Sequence, residues 1–520
     1  MNTGGQAVGR YVGRLAALSV LFTALPAYRL TAQCPDGSPP PCRAQATRAT
    51  AAPNTVAVLY FDNLSPDTAD AYLADGLTEE LTSRLGEIER IQVKSRNAVR
   101  RFKSAPPEDL AAVGRALRVR YFVEGSVRRA GTRLRVAVRL VKADDGFRVW
   151  GEDYERPTAD LLALQSEIAR EVVTKIAGRL LPAERATLAA RPTSSPQAYE
   201  HLLSGNYYLA QRTPRAVARA IREYEAAAAA DPTFAAALAG SALGYETFLE
   251  WGWPLAGLPP ESLLARGFAA TDAALRSAPH SAEAWMARAL LLTKLHPRSF
   301  EGARTAFQRA AALDPLNAEL YHQYGVILGY LGQDSAARAT LRQAISLEPE
   351  RAITLVQLGI LATLDRRLDE ARRWLDSALA IDPTFYYAYA IRAGILFLLS
   401  DTAGVRADGV SALQLGAGYD LPGQAALMVA DAMAGDTLGA RAREARLLAT
   451  VVDPLRPTPR EGLFVGAALV ALGERDRALD LLERVQPRGA GLWFALRAPH
   501  FDPIRSHPRF QWLVEESRPR

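Results

Sequence analysis

The chain has 520 residues, 49% of them apolar, so burial is not limiting and there is room for several domains. It carries 62 basic and 56 acidic residues, an excess of +6, and 57 of the basic residues are Arg. Arg10, Arg14 and Arg29 lie in the first thirty-three residues, which hold no acid, so the remainder has an excess of only 6 − 3 = +3; spread along the chain, this gives no case for a nucleic-acid partner.

Residues 1–33 read as a signal peptide. Arg10 and Arg14 precede the apolar run "LAALSVLFTALPA" at 15–27, which is short for a bilayer span but suits a signal-peptide core. Cleavage after Ala27 or after Gln33 are both open, and an uncleaved amphipathic anchor is the alternative. Residues 34–54, rich in Pro, Ala and Thr, read as a linker. Cys34 and Cys42, the only cysteines, bracket "PDGSPPP" and could close a small loop in an oxidising compartment. No thiolate zinc cage can be built from two cysteines.

Residues 55–190 read as one α/β domain of order β-α-β-α-β-β-β-α. "TVAVLYFD" contains an apolar run that suits a strand buried on both faces. Leu73, Leu77, Leu81, Leu85 and Ile88 make one helical stripe. "IQVKSR" is a strand candidate, and "PEDLAAVGRAL" a short helix with Pro107 near its start. From Tyr121 the period becomes two: Leu134, Val136, Val138 and Leu140 share one face, and Arg133, Arg135 and Arg139 the other. With "RAGT" and "DDGF" as turns, residues 121–154 form a three-stranded meander. A helix with Leu161, Leu164, Ile168, Val172 and Ile176 on its inner face closes the domain.

Residues 196–487 are nearly all helical and repetitive. Pro315, Pro349 and Pro383 end successive units 34 residues apart, the period of a stacked helix-turn-helix array. Tyr321, Tyr324, Gly325, Leu328, Gly332, Ala337, Leu341, Ala344 and Pro349 stand at the signature places of the tetratricopeptide repeat, which this unit resembles closely. The next unit matches with Leu355, Leu358, Gly359, Ala371, Leu375, Ala378 and Pro383. The spacing implies about seven repeats, the second interrupted by "EWGWPLAGLPP". Residues 488–520 differ in composition and are expected to cap the stack.

The stretches "VAVLYFDNLSPDTADAYLADGLTEELTSRL" and "RALRVRYFVEGSVRRAGTRLRVAVRLVKADDGFRVWGEDYER" resemble the TolB-like amino-terminal domain over about 55–180. That module often precedes tetratricopeptide repeats in bacterial proteins. The resemblance carries no catalytic residues across and implies a non-enzymatic envelope module.

The densest chemistry is the acidic run Asp62, Asp67, Asp70, Asp75, Glu79 and Glu80. Asp67 and Asp70 suit the mouth of a helix. Asp75 and Glu79 are expected on its solvated outer face, with Glu80 and Arg84 as a surface pair. The six histidines are scattered, with no ligand spacing. No G-x-S-x-G, Walker loop or H-E-x-x-H occurs, and neither a cofactor nor a metal is expected. The arginines Arg128, Arg133, Arg135, Arg139 and Arg148 read as the solvated face of the meander.

The resulting expectation is an exported scaffold that binds protein or peptide partners without catalysis, in the periplasm or cell envelope. The alternative is a membrane-anchored component of a signalling or transcription-regulating system. By alignment with the unit at Ala318, the concave groove would be lined by Met286, Leu290, His322, Val326, Tyr330, Val356, Ile360 and Tyr387. Most are apolar or aromatic, as hydrophobic anchors of a peptide require.

Overall fold

In this computed structural model the described residues are 54–103, 109–255, 257–295, 300–416, 420–449, 451 and 457–519. The expected signal peptide, almost all of the linker and both cysteines lie outside them. Among the described residues no helix is long and apolar enough to cross a membrane.

The amino-terminal region builds one sheet. Its elements are β1 (Thr55–Val58), β2 (Asp62–Asn63), α1 (Ala71–Gly86), β3 (Gln92–Val93), α2 (Arg96–Val99), α3 (Leu110–Leu117), β4 (Tyr121–Ala130), β5 (Arg133–Lys142), β6 (Arg148–Pro157), α4 (Leu161–Ala177) and α5 (Pro182–Ala189). The strand order is β3-β1-β4-β5-β6, with β2 paired to β4. Strand β1 is parallel to both β3 and β4, and β4, β5 and β6 form antiparallel hairpins. Val56 and Val58 face α1 and α4, while Ala57 and Leu59 face α2 and α3. This two-sided burial is why the first strand is apolar from Val56 onward. The meander alternates because only one of its faces is covered.

The rest is helical. Its first helices and their partners are α6 (Pro196–Ala210) with α7 (Pro214–Ala230), α8 (Ala235–Trp251) with α9 (Pro260–Ser277), α10 (Ala282–Leu295) with α11 (Glu301–Leu313), and α12 (Ala318–Tyr330) with α13 (Asp334–Leu347). Then come α14 (Ala352–Leu364) with α15 (Leu368–Ile381), α16 (Tyr386–Leu398) with α17 (Thr402–Leu415), α18 (Leu421–Met433) with α19 (Thr437–Ala449), and α20 (Pro459–Ala471) with α21 (Arg475–Arg484). These are eight pairs, where the proline spacing implied about seven. The pair α16–α17 escapes that count because it ends at Leu415 and Gly416 with no closing Pro.

Within a pair, small residues let the helices close. A methyl group added at Gly325 would sit 2.7 Å from Leu341 Cγ and 3.3 Å from the Ala337 carbonyl oxygen. Both distances are shorter than ordinary contact, so glycine is required by the crossing.

Two sequence-based expectations change. Residues 488–520, with α22 (Ala490–Leu496) and α23 (Pro508–Ser517), do not sit only at the end of the stack. Helix α22 packs on α12, and the 3₁₀ turn at Pro499–Ile504 packs on α16, so this segment covers the inner face of the middle repeats. The core of the α/β domain read at 55–190 also does not close within those bounds. Leu73, Leu77, Val123 and Ile168 share one core with Tyr199, Leu203, Ala227 and Phe234 of the first repeats. The Tyr199 hydroxyl donates to Gln165 Oε1 at 2.5 Å, and Arg129 donates to Glu200 at 2.8 Å. Farther along, Asn97 donates to Glu348 at 2.8 Å and Arg100 lies 3.4 Å from Asp382. A shared core across the junction makes the relative placement of the two regions a matter of packing rather than of a linker.

Candidate functional site

All of the acidic run except the exposed Asp62 is consumed by structure. Asp67 accepts from the Ala69 N–H at 2.8 Å and caps the turn before α1. Asp70 makes no cap bond and instead lies 3.5 Å from Arg129. The expected solvated face is a correction. Asp75 is buried, pairing with Arg96 at 3.4 Å and with Lys103, because α2 and the turn after it fold over this part of α1. Glu79 pairs with Arg96 at 3.0 Å and is the more open of the two. Nor is Glu80–Arg84 a surface pair: Arg84 is buried and also donates to the carbonyls of Leu188 and Ala190. Asp70, Asp75, Glu79 and Arg84 tie α1 to neighbouring elements. Removing one partner would leave the other buried and unpaired, which is where such pairs become expensive.

The groove positions separate into two groups. Met286, Leu290, His322 and Val356 are buried. Met286, Leu290 and Val356 belong to the helix-packing cores, and His322 Nδ1 lies 3.1 Å from Thr354 Oγ1. None of the four is available to a partner as an open surface. Val326 is half-buried. Tyr330, Ile360 and Tyr387 face a single chamber of about 870 Å³. This volume falls in the range of sites that enclose a ligand.

The chamber exists because the inner face of the repeats is roofed by the chain itself. Residues from α8 and the loop after it, α10, α12, α14, α16, α18, α20, α22 and the 499–504 turn all line it. The Tyr330 ring lies 5.2 Å from Phe494, and Trp251 lies 6.0 Å from Tyr387. The Arg460 guanidinium lies over Trp251 at 3.9 Å and within 5.2 Å of Tyr387, contacts that fix the loop and α20 against the repeats.

A buried ion cluster forms one wall. Lys294 pairs with Glu250 and lies 3.4 Å from Glu246; Arg460 lies 3.6 Å from Glu250; the Tyr330 hydroxyl donates to Glu250 at 3.3 Å. Burial disfavours the Glu250 carboxylate, but Lys294 and Arg460 outweigh it and hold its pKa below the usual range. Glu246 is pushed up by burial and by the neighbouring Glu250, against the pull of Lys294 and Arg212. Sequence reading noted the insertion "EWGWPLAGLPP", which begins at Glu250, but gave no role to Glu250, Lys294, Gln357, Arg460 or His500. They come from distant repeats and share no motif, so no local signal marks them.

Residues 318–351, which span α12 and α13, match the tetratricopeptide repeat family. A curated relative, "Putative adenylate cyclase 3" of Rhizobium meliloti (strain 1021), is 33% identical over 211 residues. That match takes in 40% of this chain, and the chain spans about a third of the relative's length, 35%. Among solved structures, PilF of Pseudomonas aeruginosa aligns with a TM-score of 0.34 at 20% identity, over 42% of this chain and 92% of that one. Yeast Tom70 aligns with a TM-score of 0.38 at 16% identity, over 69% of this chain and 82% of that one. The mostly helical part of this chain is a solenoid of paired helices, one pair of which, α12–α13, matches the tetratricopeptide repeat.

Proposed function

We propose that this chain is a non-catalytic binding protein of the bacterial cell envelope, exported by the segment at 1–33. In this reading a TolB-like α/β domain and a tetratricopeptide array together form a rigid scaffold for a protein partner. The partner surface is the open face of the meander rather than the inner groove, which the chain's own carboxyl-terminal helices occupy. The carrying observation is that Arg128, Arg133, Arg135, Arg139 and Arg148 are all exposed on the half-sheet that α2 and α3 leave bare. Only two of them have cross-strand partners on that face, Arg133 with Glu155 at 2.8 Å and Arg135 with Asp153 at 3.0 Å. Phe147, 70% exposed, stands at the tip of the same hairpin. A cationic face beside an exposed aromatic suits an acidic partner with one apolar contact.

The test is charge reversal. Arg128→Glu with Arg139→Glu is expected to remove the partner captured by cross-linking in envelope extracts and to weaken association about tenfold or more. Both side chains face water, so folding should be unchanged. Unchanged cross-links would overturn the meander as the partner surface.

A second reading is favoured by the likeness to a putative adenylate cyclase. There the first segment is retained as an anchor and the scaffold serves a signalling or transcription-regulating system. Mass spectrometry of the amino terminus separates the two. A mature chain beginning after Ala27 or Gln33 supports export. A chain beginning at Met1 or Asn2 and recovered with membranes supports the anchor.

A further inference from the structure

We propose that the inner chamber is a binding site for one small, uncharged, mainly apolar molecule that carries carbonyl or hydroxyl oxygens. This goes beyond the partner reading and does not depend on it, because the chamber and the meander face lie on different parts of the fold.

Three observations select this class of ligand. The first is enclosure. The walls come from at least nine elements, and α22 and the 499–504 turn pack on α12 and α16. An extended peptide running along the inner face of the repeats would collide with them, whereas a compact molecule fits about 870 Å³.

The second is charge. Of the chamber's ionic groups, Lys294 is paired with Glu250 and Glu246, and Arg460 with Glu250. An anionic ligand would lose its hydration on entry and find both cations already engaged, and Glu261, the remaining carboxylate of the lining, is exposed to water, where a cation gains little by pairing.

The third is unsatisfied polarity. The Trp253 indole Nε1 and the Gln357 amide Nε2 line the chamber, are buried, and have no hydrogen-bond partner. These residues retain only 6% and 9% of their exposure. His500 donates from Nε2 to the Gly394 carbonyl at 3.0 Å. Its Nδ1, also unpartnered, therefore presents a lone pair. Burial lowers the pKa of this imidazole and keeps it neutral. Two donors and one acceptor thus lack partners on side chains that line a mainly apolar chamber. Buried polar atoms are normally matched, so a ligand with acceptor oxygens and one donor, or with bound water at the acceptor, completes them.

The experiment uses the purified full chain and three probes. Prodan is an uncharged naphthalene with a ketone oxygen; anilinonaphthalenesulfonate is a charged molecule of similar size; acetyl-Leu-Phe-Leu-amide is a capped peptide. Prodan is expected to bind one per chain with blue-shifted emission, and the sulfonate at least about tenfold more weakly. Gln357→Leu and Trp253→Phe should each weaken prodan about tenfold by removing a donor. Ala426→Phe, which fills the chamber wall, should abolish binding while circular dichroism stays unchanged. If that variant fails to fold, the two donor variants decide. The proposal is overturned if prodan does not bind, if the sulfonate binds as tightly, or if both donor variants leave prodan affinity unchanged. It is also overturned, in favour of a peptide site, if the capped peptide displaces prodan at lower concentration than prodan itself requires.

Discussion

Gly325→Leu is expected to destabilise the protein by about 3 kcal/mol or more, at the upper end of what overpacking a tight crossing costs. The position has no spare volume. Even a single added carbon would approach Leu341 Cγ to 2.7 Å, and a leucine adds three more. Helix α12 must then move away from α13. It cannot do so alone, because α12 also packs on α14 and α22 and carries Tyr330 into the chamber. Hydrogen exchange should therefore show lost protection in α12, α13 and α22 together. A two-domain view of the chain would leave the α/β region untouched. The shared contacts say otherwise: α13 leads into Glu348, which accepts from Asn97 of α2, so α2 should loosen next. Strand β1, two packing layers away, should change least. A midpoint shift in urea equivalent to less than about 1 kcal/mol, or unchanged exchange in α22, would refute this account of the crossing.

Acid should unfold the array through His322. This side chain is 5% exposed, and burial, reinforced by the nearby Arg212, lowers its pKa to about 3 from 6.5. The native state therefore holds a neutral imidazole where the unfolded chain takes up a proton. Above pH 6.5 both states are neutral and the group contributes no pH dependence. As pH falls from 6.5 towards 3 only the unfolded state is protonated, so stability declines, in total by about 5 kcal/mol. At pH 4 the loss from this one group is about 3 kcal/mol. His322→Leu removes the titration while keeping an apolar side chain, and the Thr354 hydroxyl can turn to a carbonyl of its own helix. Urea unfolding at pH 7, 5 and 4 should show the wild-type chain losing more stability than the variant, with the gap opening only below pH 6.5. Glu246, Glu283 and Glu348, whose pKa values burial raises, act in both proteins and cancel in the difference. Parallel stability lines for the two proteins would show that His322 does not stay neutral in the native state.

Much of the fold was legible residue by residue. The leucine stripe from Leu73 to Leu85 is a local pattern, and so is the alternation from Leu134 to Leu140; each records one face of one element meeting a core. The repeat at 318–351 was legible because its small residues and closing proline recur at fixed spacing. Asp75 was misread for the complementary reason. Its spacing on α1 fits an outer face, and only the fold of α2 across that face decides that Arg96 and Lys103 cover it.

What the sequence determined by itself was therefore the kind of each element and the face it buries, since both follow from periodicities of two, three to four, and 34 residues. Which elements meet was decided only in three dimensions. The groove positions Met286, Leu290 and Val356 were apolar in the sequence, and apolarity alone cannot distinguish a helix seam from a binding surface. The chamber is further still from any local signal. Glu250, Lys294, Gln357, Arg460 and His500 span 250 positions, and they converge because the carboxyl-terminal helices fold back onto the repeats. That return is fixed by contacts such as Tyr330 with Phe494 and Arg460 with Trp251, each a product of packing between residues more than a hundred positions apart.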